Sequence, residues 1–267
     1  MPELPEVQTV LDGLTEVLHG VSITGLICYY PGTVITDPAL GDEPFPARLS
    51  QAQRRGKYMI LHLDNSTSMI IHLRMTGKLV YEPHPEEPHK HERARIQLST
   101  GDALRFIDPR TFGKITLVNT ALVEKYLPDL GPEPLSQDFS PSYLKRVLKG
   151  RTAPIKNLLL DQRIVAGLGN IYVCELLFRS GIRPDRPGVS IFAKEQCEIV
   201  KHTKEVLLQA LKVGGTSISD YRRIDDKTGQ FQHFLQVYQK RECPLGHAVQ
   251  NLKLAGRSSF FCPECQK

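Results

Sequence analysis

The chain has no tryptophan, no long apolar run and no basic leader. No stretch approaches the roughly 18 apolar residues that a membrane-spanning helix needs. The first ten residues, MPELPEVQTV, contain two acids and no base, which argues against a signal peptide. Hydrophobic residues make up 40% and charged residues 24% of the 267, as in ordinary globular proteins, so wholesale disorder is not expected. We expect a soluble, cytoplasmic protein of one large or two ordinary domains.

Net charge is also low, because 34 Lys and Arg residues face 29 Asp and Glu residues, giving +5. This charge is concentrated. Between Pro141 and Arg163 one acid, Asp161, accompanies six cations, which again gives +5: Lys145, Arg146, Lys149, Arg151, Lys156 and Arg163. A modest excess permits an anionic partner without requiring one. If an anionic partner binds, the position of this charge favours residues 141–163 as its binding segment.

Cysteines are few, and half of them lie near the C-terminus. Cys28, Cys174 and Cys197 stand singly and are expected to pack as small apolar residues. The others suit a Cys3His zinc site made of a C-x3-H and a C-x2-C pair: Cys243, His247, Cys262 and Cys265. Four ligands fill a tetrahedral ion, so such a zinc would be structural. The alternative is a free dithiol beside an unrelated Cys and His.

Apolar periodicity divides the chain into two regions. Residues 3–18 have the spacing of an amphipathic helix, and from Val21 to about Asn119 short β-branched runs alternate with turn residues. Residues 128–141 hold four prolines and are predicted to be an interdomain linker, and helical patterns fill residues 142–213. The pattern predicts an α+β protein with an N-terminal β-sandwich or barrel, a helical C-terminal domain and a small metal knuckle.

One segment has the features of a phosphate site. An apolar helix runs into Ala166-Gly-Leu-Gly169, and Asn170, a good N-cap, is expected to open the next helix. Glycines before a helix N-terminus let a phosphate reach free backbone N–H groups. The segment therefore suggests a clamp on a nucleic-acid backbone. An ordinary glycine-rich turn with a solvated basic face explains the same composition.

Seven blocks, in order, resemble the formamidopyrimidine-DNA glycosylase family, whose motifs span essentially the whole chain. They are Pro2-Glu3-Leu4-Pro5-Glu6-Val7, Arg55-Gly56-Lys57-Tyr58, His72-Leu-Arg-Met75-Thr-Gly77 with Asp108-Pro-Arg110-Thr-Phe112-Gly113, residues 161–172, residues 216–221, and Gly256-Arg257 to Cys265.

The resemblance implies a bifunctional DNA repair enzyme that removes oxidised bases from duplex DNA and then cuts the strand. It further implies a monomer of a bacterial cytoplasm, associated with the nucleoid when bound to DNA. The expected domains are a catalytic β-sandwich with flanking helices (1–130), a helix-two-turn-helix domain (131–235) and a β-hairpin zinc finger (236–267) with one structural Zn²⁺. The Leu-Pro-Glu-Val start and residues 216–221 resemble the branch that acts on oxidised purines; a sister branch acts on oxidised pyrimidines.

The resemblance also implies roles for individual residues. The catalytic residues would be Pro2, Glu3 and Lys57. Pro2, exposed by removal of Met1, would be the nucleophile, Glu3 would move protons, and Lys57 would contact the phosphate beside the lesion. Glu6 would support the site. Further DNA contacts would come from Lys156, Asn170, Tyr172 and Arg257. Met75, Arg110 and Phe112 would fill the gap left by an extruded base. Thr216, Ser217, Asp220 and Tyr221 would belong to a loop that caps that base. Without the resemblance, Pro2 would be an ordinary first helical residue, and Met75 and Phe112 could equally be core residues.

The chain departs from the family pattern at three places. The segment Val237–Cys243 is two residues short, His247 replaces a cysteine with one extra intervening residue, and Thr111 stands where arginine is usual. A loop with His84, His89, His91 and Glu92 could bind a metal, but a solvated loop fits its composition better. A non-enzymatic binder of damaged DNA is the competing function, against which the intact Pro2-Glu3 pair argues.

Overall fold

The structure, a computed structural model, describes residues 1–41, 44–216, 224 and 228–267. The described chain forms two units. The N-terminal unit contains Met1–Pro128 and a returning segment, Val213–Gln230; the C-terminal unit contains Asp129–Lys212 and Phe231–Lys267. The boundary falls at the start of the proline-rich linker. The predicted division into three domains stays a prediction.

The N-terminal unit begins with helix α1, Leu4–Val17, as the apolar spacing predicts. Nine strands follow among the described residues: β1 Ser22–Cys28, β2 Val34–Thr36, β3 Ala47–Arg55, β4 Tyr58–Leu63, β5 Thr67–His72, β6 Lys78–Glu82, β7 Glu92–Leu98, β8 Ala103–Ile107 and β9 Lys114–Asn119. A short helix, α2 Val123–Tyr126, ends this part of the chain.

The strands are hydrogen-bonded in the order β2-β9-β5-β4-β3-β1-β7-β8-β6. Only two residue pairs, Ser22 with Arg48 and Ile23 with Ala47, join β1 to β3, so the sheet has two halves. Both halves and α1 contribute to one apolar core that includes Leu14, Met59 and Phe106. The predicted β-sandwich with flanking helices is confirmed.

The C-terminal unit is helical, with α3 Pro141–Leu148, α4 Ile155–Leu160, α5 Asn170–Arg179 and α6 Ala193–Lys212. Ser140 caps α3 by accepting from the Tyr143 amide at 3.2 Å. The unit ends in a hairpin of β10 Gln250–Leu254 and β11 Arg257–Phe261. Ala255 and Gly256, both at positive φ, form its two-residue turn. The predicted helical domain with a β-hairpin is thus confirmed.

Candidate functional site

The start of α1 holds Pro2 and Glu3 in a buried position. Pro2 is buried and Glu3 is 3% exposed, whereas Met1 is exposed. The Glu3 backbone N–H donates to Glu6 Oε2 at 2.8 Å, which satisfies a donor at the helix N-terminus. Two of the three residues that the resemblance makes catalytic are therefore fixed against the first turn of a helix.

Glu6 ties this helix to the returning segment of the same unit. Its Oε1 accepts from the Thr216 amide at 2.7 Å, and its side chain is buried. Gly215 has φ +78°, and a Cβ there would lie 2.6 Å from Glu6 Oε1, so the close approach requires glycine. Thr216 is itself buried. The other predicted capping residues, Ser217, Asp220 and Tyr221, lie outside the described residues.

Lys57 lies buried beside His72, a residue of the family motif for which the sequence indicates no role. Burial, with Arg74 and Lys57 nearby, lowers the pKa of His72 to about 3. The Arg74 amide donates to His72 Nδ1 at 3.0 Å, so the neutral ring carries its proton on Nε2. A neutral N–H donor and a lysine at the end of one strand pair can both bind an anion.

Asp108 organises the turn that carries Arg110 and Phe112, here called the wedge turn (residues 108–113). Its fully buried carboxylate accepts from the Arg110 amide at 3.1 Å and the Gly113 amide at 2.7 Å. The Thr76 hydroxyl donates to the same carboxylate. Asp108 therefore joins the wedge turn to the β5–β6 loop, which carries Met75.

Met75 and Phe112 are solvent-exposed at 42% and 48%, so neither packs in the core. The Arg110 guanidinium lies 5.0 Å from the Phe112 ring centroid, a cation–π contact. Thr111 between them has φ +60°, an unusual conformation for a β-branched residue. Exposed apolar side chains on two linked turns can enter a stack of bases.

In the C-terminal unit, α5 begins at Asn170, but Gly169 is its N-cap, so the expected Asn170 cap is wrong. The Asn170 amide group donates instead to the Ser258 carbonyl at 3.0 Å, and its buried Oδ1 has no hydrogen-bond partner among the residues that the structure describes. The Gly167 N–H donates to Gln162 Oε1 at 2.9 Å, so it is not open to a phosphate. The turn is organised by side chains that sequence spacing does not reveal.

Lys156 is fully buried in α4. Its ammonium donates to the Ser258 carbonyl at 2.9 Å and to Ser259 Oγ at 2.6 Å. Lys156 and Asn170 therefore fasten the hairpin next to Arg257, which is exposed on β11. Tyr172 is also fully buried, 5.5 Å from the Phe231 ring.

The basic segment is less basic at the surface than in the sequence. Lys156 is buried, and the Arg163 guanidinium pairs with Asp161 at 2.8 Å. The other four cations are exposed and are not the partners of Asp161: Lys145, Arg146, Lys149 and Arg151. The exposed face of α3 and the loop after it therefore carries the surface charge.

The Cys3His group is assembled as predicted: one ligand atom from each of its four residues lies within 4.8 Å of the other three. Cys243 Sγ is 3.9 Å from Cys265 Sγ, and His247 Nδ1 is 3.3 Å from Cys265 Sγ. Tetrahedral zinc with Zn–S bonds near 2.3 Å puts sulfur atoms about 3.8 Å apart. The extra residue before His247 is absorbed by a turn in which Gly246 has φ +79°.

The thiols of this group are crowded. Desolvation first, and then the neighbouring Cys262 and Cys243 thiols, raise the pKa of Cys265 to about 12. A divalent cation would offset the repulsion between thiolates. The donor set and its spacing therefore fit a metal ion.

The histidine-rich loop is not a second such group. Among the described residues, the Cys3His group alone brings three or more candidate ligands together. The Glu92 carboxylate accepts from Arg95 at 2.7 Å and pairs with Arg105 at 2.9 Å.

No described helix is long and apolar enough to cross a membrane.

Glu175 is a buried acid that sequence analysis missed. Its carboxylate accepts from the amides of Gln236, Val237 and Tyr238 at 2.8–3.0 Å. Burial raises its pKa, although these three donors and Arg179 act in the opposite direction. Glu175 positions the segment before Cys243. An acid within the apolar helix YVCELLF was the available signal.

Comparisons with known proteins agree along the whole chain. The formamidopyrimidine-DNA glycosylase N-terminal domain matches residues 1–115, and the H2TH domain of the same glycosylase matches residues 130–222. A formamidopyrimidine-DNA glycosylase of Desulforamulus reducens is 40% identical over 280 residues, covering 100% of this chain and 99% of the relative.

Solved structures show the same similarity. A mutant Lactococcus lactis FPG in complex with Fapy-dG-containing DNA superposes with TM-score 0.93 at 35% identity, with full coverage of both chains. Wild-type Lactococcus lactis Fpg in complex with DNA containing an oxidised pyrimidine gives TM-score 0.91 at 34% identity, again over both full chains.

Proposed function

Since the chain belongs to the formamidopyrimidine-DNA glycosylase family, we propose that it is a bifunctional DNA glycosylase and AP lyase. Its substrates are oxidised purines, namely 8-oxoguanine and formamidopyrimidines, in duplex DNA. The protein acts as a monomer in base excision repair and binds no membrane. The buried Pro2-Glu3 pair at the start of α1, held by Glu6, is the observation that carries the proposal.

Pro2 is the nucleophile. Removal of Met1 gives it a secondary α-amine, and α-amino groups have a pKa near 7.7–8.0, so a usable fraction is neutral near pH 7. The nitrogen attacks C1′ as the glycosidic bond breaks and the base leaves with a proton. The C1′–O4′ bond then breaks as the ring oxygen takes up a proton, which leaves an iminium at C1′. The iminium withdraws electrons, and β- and then δ-elimination expel the two phosphates.

Glu3 lies next to this nitrogen and exchanges protons with the sugar and the Schiff base. Glu6 supports the site by holding both the Glu3 amide and the Thr216 amide. Thr216, Ser217, Asp220 and Tyr221 cap the extruded base. The link from Glu6 to Thr216 supports a cap that begins close to the reacting sugar.

Phosphates are bound in each unit. Lys57 contacts the phosphate beside the lesion, and its burial next to neutral His72 supports a preformed anion site. Arg257 and Asn170 contact the backbone from the C-terminal unit. Lys156 and Tyr172 contribute by holding the hairpin and α5, which their burial supports.

Met75, Arg110 and Phe112 fill the gap in the stack. The exposure of Met75 and Phe112 supports insertion between bases, and Arg110 hydrogen-bonds the base left opposite. One structural Zn²⁺ is held by Cys243, His247, Cys262 and Cys265, and it stabilises the hairpin that carries Arg257.

Borohydride trapping tests the chemistry. Incubation with duplex DNA containing 8-oxoguanine opposite cytosine should give a covalent adduct that maps to Pro2. Pro2→Gly and Glu3→Gln should both abolish normal cleavage. Pro38→Ala, at an exposed proline of the same unit, is the control and should cleave normally. Absence of an adduct with this duplex and with an abasic duplex would refute the proposal.

Oxidised pyrimidines are the second candidate substrates, because a structural relative was solved with DNA of that kind. Cleavage of 8-oxoguanine and 5-hydroxycytosine duplexes by the same preparation separates the two. We expect faster cleavage at 8-oxoguanine. Mass spectrometry of the intact chain should first establish that Met1 is absent, because a retained methionine blocks Pro2.

A further inference from the structure

Two tyrosines after strand β1 are exposed and stacked on arginines. Tyr29 is 37% and Tyr30 41% solvent-exposed. The Arg93 guanidinium lies 5.2 Å from the Tyr30 ring centroid, and that of Arg95 lies 5.5 Å from Tyr29. Neighbouring aromatic and arginine side chains at a surface are typical of nucleic-acid contacts.

The charges of this surface do not cancel. Arg95 and Arg105 are paired with the Glu92 carboxylate, and Arg105 also pairs with Glu82 at 2.6 Å. Arg93 contacts the Asp108 carbonyl at 2.8 Å and His91 Nδ1 at 3.4 Å. Throughout the part of the chain that the structure describes, no carboxylate pairs with Arg93. Its positive charge is therefore available to a partner.

This surface is fastened to the wedge turn. The Arg93 Nε–H donates to the Asp108 carbonyl, and the Asp108 amide donates to the His91 carbonyl at 2.9 Å. On the other side, the Ile115 amide donates to the Thr33 carbonyl at 2.9 Å, which holds the turn after Tyr30. All these contacts lie within the N-terminal unit, so Arg93 is held directly against the wedge turn.

We propose that Arg93 binds a backbone phosphate of duplex DNA beside the bases that the wedge turn enters, with Tyr30 as its positioning residue. The proposal rests on the proposed function. The Tyr30 ring, the Asp108 carbonyl and His91 Nδ1 fix the guanidinium plane, and the N–H groups of Nη1 are left for a phosphate. No conformational ordering of Arg93 is then required on binding.

The test is equilibrium binding of the full chain to a duplex carrying a tetrahydrofuran abasic analogue, measured across a range of salt concentrations. Losing one phosphate contact reduces the slope of log K against log salt by about 0.9, equivalent to about tenfold weaker binding near 0.1 M salt. Arg93→Gln should show both effects, whereas Arg93→Lys should keep the slope. Tyr30→Leu should weaken binding and Tyr30→Phe should not.

Arg48→Gln is the matched control. Arg48 is an exposed arginine of the same unit that pairs with Ser22, at the far end of β1 from Tyr30. Ser22 and Cys28 are the two ends of the seven-residue strand β1, six residue steps or about 20 Å apart. This variant should bind DNA as the wild type does.

Two readouts separate this proposal from the proposed function. Cleavage of an abasic duplex by the wild type tests the function, and the salt slope of Arg93→Gln tests the contact. A wild-type slope in Arg93→Gln overturns the contact even if affinity falls, because Arg93 would then only hold the wedge turn. Should Arg93→Gln not fold, equal affinities of Tyr30→Leu and Tyr30→Phe would overturn it instead.

Discussion

His72 shows how burial sets the chemistry of one side chain. An isolated histidine has a pKa near 6.5, but burial, Arg74 and Lys57 lower it to about 3 here. The ring is therefore neutral wherever the protein is folded near neutral pH. Neutral imidazole beside Lys57 can donate a hydrogen bond without adding a second buried charge.

This shift predicts a loss of stability in acid. In the unfolded chain His72 is protonated below its ordinary pKa of about 6.5. In the folded chain it is protonated only below its lowered pKa of about 3. The free energy of unfolding should therefore fall by about 2 kcal/mol between pH 7.5 and pH 5 through this residue. Urea unfolding of wild type and His72→Gln at both pH values measures the difference.

In that comparison the variant should lose about 2 kcal/mol less than the wild type. His19→Gln, at an exposed histidine of the same unit, serves as the control. An equal loss in wild type and His72→Gln would contradict the assignment of the pH dependence to this residue.

Gly215 and Gly20 form a matched pair for a second prediction. Both have positive φ, +78° and +73°, but a Cβ at Gly20 meets open space whereas one at Gly215 meets Glu6. Gly20→Ala should cost about 1 kcal/mol through backbone strain, and Gly215→Ala about 1–3 kcal/mol more through the clash. Only Gly215→Ala should also slow cleavage. Unfolding and single-turnover measurements test both; equal effects would exclude the clash.

Individual residues were predictable where a motif or surface exposure fixes the role. Pro2, Met75 and Phe112 follow from their blocks, and the structure places the last two at the surface. His72 and Glu175 were missed because their properties depend on neighbours distant in sequence, such as the amides of residues 236–238. The spacing of residues along the chain does not predict such long-range contacts.

At the scale of elements, the α4–α5 turn and the β10–β11 hairpin form one piece. The Lys156 ammonium and the Asn170 amide both donate to the Ser258 carbonyl. The hairpin is thus held from its backbone, which leaves the Arg257 side chain exposed. The sequence predicts Lys156 as a surface cation, whereas in the fold it is buried and hydrogen-bonded to the hairpin.

Lys156→Met should therefore behave differently from Arg257→Gln. Loss of the ammonium removes the donor to Ser259 Oγ and one of the two side-chain donors to the Ser258 carbonyl, which should cost about 1–3 kcal/mol of stability. DNA binding should weaken with an unchanged salt slope. Arg257→Gln should instead reduce the slope by about 0.9 with little loss of stability. A reduced slope in Lys156→Met would show that Lys156 itself contacts phosphate.

Element prediction succeeded where apolar periodicity is strong and failed where it is weak. Strands β4, β5 and β7–β9 follow from β-branched runs, and α1 from its apolar stripe. The polar strand β3, the three-residue β2 and the half-buried β6 escaped notice. Their pairing partners define them as strands, because their own composition does not.

At the scale of the whole molecule, the metal group is the main prediction for stability. We expect one zinc per chain, and its removal by a chelator should lower the melting temperature and weaken DNA binding. His247→Cys should keep the zinc and His247→Ala should lose it. Cys197→Ser, at an exposed cysteine outside the group, should match the wild type. A metal-free wild type with unchanged melting would refute the prediction.

The overall architecture could be predicted, but its connectivity could not. Strand-rich and helical halves and a linker near residue 128 follow from the sequence. The return of residues 213–230 to the N-terminal unit does not, because it depends on contacts such as the one between Glu6 and Thr216. These residues carry no apolar period that would assign them to either unit.

That return has a consequence for synthesis on the ribosome. Glu6 and Thr216 are 210 residues apart. At translation rates of about 5–20 residues per second, the Thr216 amide is made about 10–40 s after Glu6. During that interval helix α1 can form and the Glu6 carboxylate can accept from the Glu3 amide, but the Thr216 amide, its second donor, has not been synthesised. The surroundings of Pro2 are therefore completed only after most of the C-terminal helices have been translated. The reactive amine of Pro2 would reach its native environment with the same delay.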